Sequence, residues 1–243
     1  MTKFIISKDL NMKAQPCFCM AAKLFLFDID STLVDLMRFH IASFQRAYKQ
    51  VLDWDVSADE LAVWFGLPDV DIHKNLIKKR GVRVDGLESR IQEIILLHKN
   101  DFLGSIGNDL SAYVLPGVVD FLEYLKSHKI PAGIVTGNTE EKADLLLARA
   151  GLSGYFTAGG YGDGAHSRKD IVLSAMAAFR QEGYDFVRAG VYVIGDSVHD
   201  IKAANDAGVV SVGVATGFYD EKTLKEAGAK LVLRSLAGYR TLL

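Results

Sequence analysis

Cysteine is nearly absent: the 243 residues hold two, Cys17 and Cys19. A lone Cys-x-Cys cannot complete a four-ligand zinc site, so both are expected to be reduced, idle thiols. Long hydrophobic runs are missing too. No apolar stretch reaches the ~18 residues that span a bilayer, which excludes an ordinary membrane helix. Charge of one sign is also lacking. The formal net charge is −2, which leaves no basic footprint for nucleic acid or an anionic membrane, and neither partner is expected. Residues 1–22 (MTKFIISKDLNMKAQPCFCMAA) scatter Lys, Asp, Asn and Pro and lack a clean apolar core, so no cleaved secretion signal is expected. They read as an N-terminal extension, with Met20 as an alternative start, and the expected compartment is the cytoplasm. There is no low-complexity tract, no sequence repeat and no sustained heptad seam. Monomer and homodimer both stay open.

What is present is an ordinary globular composition, 49% hydrophobic and 24% charged, long enough for a core domain carrying an insert. KLFLF (23–27) is a nearly all-apolar run that stops at Asp28, as a buried parallel strand stops at a functional edge. Similar runs recur at 130–135, 190–194, 209–214 and 231–233. Between them lie helical segments closed by Gly151, Gly208 and Gly228, as suits the left-handed turn past a helix. The alternation predicts an α/β fold, a doubly wound parallel sheet. The stretch 36–113 breaks the rhythm. MRFHIASFQRAYKQVL, SADELAVWF, DIHKNLIKKR and LESRIQEIILLHKNDFL are all helical in pattern. An all-helical cap over 36–113 is therefore expected, inserted into a core made of 23–35 and 114–243.

Four segments put polar residues beyond strand ends, where ligands of open α/β sheets bind. In Asp28-Ile29-Asp30-Ser31-Thr32-Leu33, residues two apart share a face while the backbone stays extended, so both carboxylates can enter one site. A divalent cation such as Mg²⁺ would relieve their repulsion with hard oxygen ligands. A solvated turn is the plain alternative. Thr136-Gly137-Asn138-Thr139 follows a strand and opens a helix, offering either simple capping or backbone N–H groups for phosphate oxygens. In the 164–170 loop, Arg168 or Lys169 could neutralise a phosphoryl group, or the pair is only solvated. In Gly195-Asp196-Ser197-Val198-His199-Asp200, two acids four apart suit direct and water-mediated metal binding, or Asp200 is a favourable helix-start charge. His40 follows Asp28 by twelve residues on the first cap helix, either a substrate contact or a core histidine. Its neighbour Phe39 is expected to face the same region. Residues 64–68 read as a cap loop reaching the site or as an ordinary helix end.

Taken together and in order, FDIDSTLV, TGN, the GDGAHSR loop and GDSVHD resemble the motif set of the haloacid dehalogenase superfamily, over nearly everything from Lys23 onward. The series GLSGYF, GDGAHSR and VATGFYD resembles its phosphoglycolate-phosphatase-type members with a helical cap after the first motif. The resemblance implies a Rossmann-type core and a Mg²⁺-dependent phosphatase of a small phosphorylated metabolite. It implies Asp28 as nucleophile through an aspartyl phosphate and Asp30 as general acid and base. Mg²⁺ would be held by Asp28, the Asp30 main-chain carbonyl and Asp196, with Asp200 in support. Phosphate would be held by Thr136, Gly137, Asn138 and Arg168. Two departures stand out: Ser31 occupies a position where glycine is usual, and the usual Lys-Pro of the third motif is missing, so the third-motif cation is assigned to Arg168 with Lys169 as the alternative. The same core also serves phosphomutases of the β-phosphoglucomutase type and non-catalytic phosphate-binding relatives. The intact set Asp28, Asp30, Thr136 and Asp196 argues against the latter.

Overall fold

The computed structural model describes residues 23–67 and 69–243. Cys17, Cys19 and Met20 lie outside the described residues. In chain order the elements are β1 (Leu24–Phe27), α1 (Met37–Leu52), α2 (Ala58–Ala62), α3 (Asp69–Arg80), α4 (Leu87–Ser105), α5 (Val118–Ser127), β2 (Ala132–Val135), α6 (Glu140–Arg149), β3 (Ala158–Gly160), α7 (Arg168–Gln181), β4 (Val191–Gly195), α8 (Val198–Ala207), β5 (Val210–Val214), α9 (Glu221–Glu226) and β6 (Leu231–Leu233). The six strands form one sheet in the order β3-β2-β1-β4-β5-β6, all pairs parallel. The doubly wound α/β core expected from the strand–helix–glycine rhythm is present.

Period-2 alternation explains how the sheet is covered on both faces. Phe25 and Phe27 of β1 enter one apolar cluster with Phe121, Leu146 and Tyr239. Leu24 and Leu26 enter another with Ile171, Phe179 and Ala204. All four β1 side chains are fully buried, each such burial contributing roughly 1.5–3 kcal/mol before entropy is counted.

Two differences from the sequence reading have local causes. Ile130 lies in the turn that closes α5, its N–H donating to the Leu125 carbonyl, so β2 begins only after Pro131. The edge strand β3 was not foreseen, because Ala-Gly-Gly carries no β signal. Gly160 is used there for close approach: a Cβ would run into the Ile171 carbonyl of α7.

Over 36–113 the described residues hold four α-helices, α1 to α4, and no strand. They have their own core, with Phe44, Tyr48, Val51, Leu61, Leu76 and Ile94 packed together and Trp54 against them. α1 is amphipathic, and its buried side chains His40, Phe44, Ala47 and Val51 recur at helical spacing. The far end of α4 is different: Phe102, with Ile106 and Leu110 after it, joins the core under the sheet. This helix therefore ties the cap to the body. No helix among the described residues is long and apolar enough to cross a membrane.

Candidate active site

Three adjacent central strands end at the site. Asp28 follows β1, Thr136 follows β2 and Asp196 follows β4. This is the crevice where the chain winds to opposite sides of the sheet, the usual ligand position of such folds. The Asp28 N–H donates to the Ile194 carbonyl at 2.9 Å and the Thr136 N–H to the Gly160 carbonyl at 3.1 Å, so backbone pairing continues up to the functional side chains and fixes them. Ser31 has φ 57°. The position where glycine is usual keeps the left-handed turn, and serine occupies it at a conformational cost of roughly 1 kcal/mol.

Asp28, Asp196 and Asp200 are all buried, and each offers an oxygen within 4.8 Å of the others. Asp200 is the third residue of α8 and forms a capping box with Ser197. Its Oδ2 accepts from the Ser197 N–H at 3.1 Å and hydroxyl at 2.6 Å, while its Oδ1 accepts from Arg168. One carboxylate thus caps a helix and serves the site at once. Room for Asp196 depends on Gly217, where a Cβ would overlap the Asp196 carboxylate.

Arg168 Nη2 lies 2.8 Å from Asp28 Oδ1 and 2.5 Å from Asp200 Oδ1. Its neighbour Lys169 is exposed and is not among the residues lining the pocket. Burial pushes the Asp28 carboxyl up to about 8, opposed by Arg168 and reinforced by the charges of Asp200 and Asp30. Asp196 is pushed well above the carboxylate range by burial and then by Asp200 and Asp28. Three buried carboxylates with one guanidinium form an all-oxygen set short of positive charge. That donor chemistry fits a hard divalent cation.

Asp30 points away from this cluster, toward the cap. Its Oδ2 accepts from Asn138 Nδ2 at 2.7 Å, and its Oδ1 lies 3.2 Å from His40 Nε2. Burial would raise the Asp30 carboxyl, but the charge and hydrogen bond of His40, with Lys142 and Asn138, hold it well below the usual range. Asn138 also donates to Thr136 Oγ1 at 3.1 Å. Helix capping falls to Thr139, whose side chain accepts from the Lys142 N–H. His40 is both a core histidine and a site residue: buried, stacked on Phe102 with ring centroids 3.8 Å apart, and in contact with Asp30. Phe39 does not join it. Met37, His40 and Phe44 share the helix face that lines the pocket, and Phe39, off that face, packs edge-on against Tyr113.

A pocket lies between the sheet edge and the cap. Gly66 and Leu67 line it with Phe65, so the 64–68 loop does reach the site over its described residues. Phe65 stacks on Phe218 of the body, centroids 5.9 Å apart. Three polar residues in the lining were not singled out from sequence, His98 on α4, Lys142 on α6 and Tyr219 after β5. His98 Nε2 is 3.1 Å from His40 Nδ1, and its ring lies flat on Phe44 with centroids 3.6 Å apart. Nothing local in the sequence marks His98. Lys142 had a usable signal, lying one helical turn past Asn138.

Comparison with known proteins supplies the family. The family model for haloacid dehalogenase-like hydrolases matches residues 25–214. The chain belongs to that family. Among curated relatives of this haloacid dehalogenase-like chain, a phosphoglycolate phosphatase from Agrobacterium fabrum is 28% identical over 195 residues, covering 80% of this chain and 81% of that protein. Another from Synechococcus elongatus is 27% identical over 216 residues, 83% of this chain and 88% of the relative. Among solved structures, a hydrolase from Pseudomonas syringae superposes with a TM-score of 0.77 at 21% identity, covering 90% of this chain and 96% of the other. A β-phosphoglucomutase from Clostridium difficile also reaches 0.77, at 20% identity, covering 89% and 92%. At such identities the structural likeness bears on the haloacid dehalogenase-like fold alone.

Proposed function

We propose that this hydrolase is a Mg²⁺-dependent phosphatase of small phosphorylated metabolites, of the phosphoglycolate-phosphatase kind, with Asp28 as the nucleophile. The observation that carries the reading is the division of labour between the two acids of the first motif. Asp28 is held in the charged cluster at the strand end, and Asp30 is turned toward the cap by Asn138 and His40.

In this mechanism an Asp28 oxygen attacks phosphorus, the bond from phosphorus to the leaving oxygen breaks, and Asp30 delivers a proton to that oxygen. Asp30 is drawn strongly toward its anion, so the proton it gives is held jointly with its hydrogen-bonded partner His40. In the second step Asp30 takes a proton from water, the water oxygen attacks phosphorus, and the Asp28 carboxylate is released. Thr136, the amides of Gly137 and Asn138, and Arg168 receive the phosphoryl oxygens. The carboxylates of Asp28, Asp196 and Asp200, with the Asp30 main-chain carbonyl, would hold the metal. A divalent cation such as Mg²⁺ held there would screen the phosphate from the attacking carboxylate. The helical cap, residues 36–113 in this proposal, covers the leaving group and limits water.

The test is hydrolysis of an aryl phosphate with and without Mg²⁺, comparing the native protein with Asp28→Asn. Metal-dependent phosphate release that falls by about 10⁴-fold or more in the variant is expected. Native activity indifferent to a chelator, or surviving the substitution once deamidation is excluded, would reject the proposal.

A further inference from the structure

The pocket contains a cation that the chemistry above does not use. Lys142 is the third residue of the ten-residue helix α6, is 7% exposed and lines the cavity. Its ammonium sits 4.8 Å from the centroid of the Phe102 ring. Among the described residues no carboxylate forms an ion pair with it, whereas its acidic neighbour Glu141 pairs outward with Lys99 at 2.9 Å. An ammonium in a pocket wall with no direct ion-pair partner leaves a charge-assisted contact open to a ligand anion.

Its position separates it from the phosphate-binding floor. Arg168 contacts Asp28 directly, whereas Lys142 lies against Phe102, the ring on which His40 stacks, and His40 in turn contacts Asp30. Asp30 marks the leaving oxygen, so Lys142 stands beyond it, on the leaving-group side. Around it the wall is aromatic and apolar, with Phe44, Phe65, Met37 and Ile72. Such a wall offers nothing to a polyol.

We propose that Lys142 is the specificity-determining residue of the leaving-group pocket and receives an anionic group carried close to the phosphate ester, so that the substrate is a short, doubly anionic phosphate compound. This rests on the phosphatase reading. A carboxylate and a second phosphate share the required chemistry, and both fit a charge-assisted contact with an ammonium. The second negative charge also separates such a substrate from neutral esters of the same length.

The experiment measures kcat/KM for phosphoglycolate, pyrophosphate and the neutral analogue 2-hydroxyethyl phosphate, in the native protein and in Lys142→Met and Lys142→Arg. Methionine keeps the apolar stem against Phe102 and removes the charge. The native protein is expected to prefer one of the two anionic compounds to the neutral one, and whichever it prefers identifies the carboxylate or the phosphate as the group bound. Lys142→Met is expected to lower that preference by about 30-fold, chiefly through KM, the size of a lost charged hydrogen bond. Lys142→Arg retains most of it. A native protein that prefers the neutral ester overturns the inference without any variant. So does a Lys142→Met protein that loses activity on all three compounds by the same factor, the pattern of a purely structural lysine. Turnover of none of the three, nor of an aryl phosphate, overturns the phosphatase reading and this inference with it. Turnover with an unchanged ratio overturns this inference alone.

Discussion

The floor of the pocket is built from strand ends and its roof from helix faces, and the two do different things. On the floor, Asp28, Thr136 and Asp196 each stand one residue past a buried strand, so the sheet's hydrogen bonding sets their spacing. Charge is dense there, with three carboxylates offering oxygens within 4.8 Å of one another and one guanidinium paired to two of them. The roof is mostly aromatic, and its polar groups are placed by packing: His98 lies flat on Phe44, and His40 on Phe102. A floor of this kind is suited to one reaction, and a roof of this kind can change its selectivity without disturbing that reaction. Asp30 is the hinge between them, bonded to Asn138 of the body and His40 of the cap.

The comparison can be broken from either side. The larger effect belongs to the floor. Arg168→Ala should lower kcat by about 10²–10³-fold, as loss of a transition-state charge donor does, while Lys169→Ala should leave turnover nearly unchanged. Steady-state kinetics of the two variants on an aryl phosphate checks this, and equal losses would remove Arg168 from its assigned role.

The smaller effect belongs to the roof and concerns stability. Burial, with the charges of His40, Lys142 and His73 around it, holds His98 well below the ordinary 6.5. The unfolded chain takes up a proton there below pH 6.5, and the folded chain resists it. The stability this group contributes is complete above pH 6.5 and is lost as pH falls, by up to ~1.4 kcal/mol per pH unit. His98→Gln, which cannot titrate, should flatten that part of the pH profile in denaturant unfolding between pH 5 and 7. A native profile already flat in that range would refute the account of His98.

The same contrast explains what could be read from the sequence. The sheet, the four motif segments and the cap helices were legible because each depends on local pattern: an apolar run ending in an acid, a glycine past a helix, or an amphipathic repeat such as α1. The turn at Ser31 kept its shape because the surrounding backbone demands φ 57°, whichever residue occupies it. What stayed hidden depends on distance in space. The edge strand β3 exists because β2 lies beside it and Gly160 lets α7 come close, and neither is a strand signal. The His40–His98 contact joins residues 58 apart, and only the packing of α1 on α4 brings them together. Phe39 and His40 differ by one position and face different surroundings, a distinction that helix phase decides once the core is known. For Asp200 the capping reading does not exclude a place in the candidate site, because Oδ2 caps α8 while Oδ1 accepts from Arg168.

The most direct test of the central claim is to trap the phosphorylated residue. The protein would be mixed with Mg²⁺ and an aryl phosphate, quenched in acid during turnover, reduced with borohydride and digested for mass spectrometry. Reduction of an aspartyl phosphate leaves homoserine, and the account predicts it at position 28 and nowhere else, only when substrate is present. Homoserine at Asp30 or Asp196, or unmodified Asp28 in a sample that is releasing phosphate and holds an intermediate elsewhere, would contradict the assignment of Asp28 as the nucleophile.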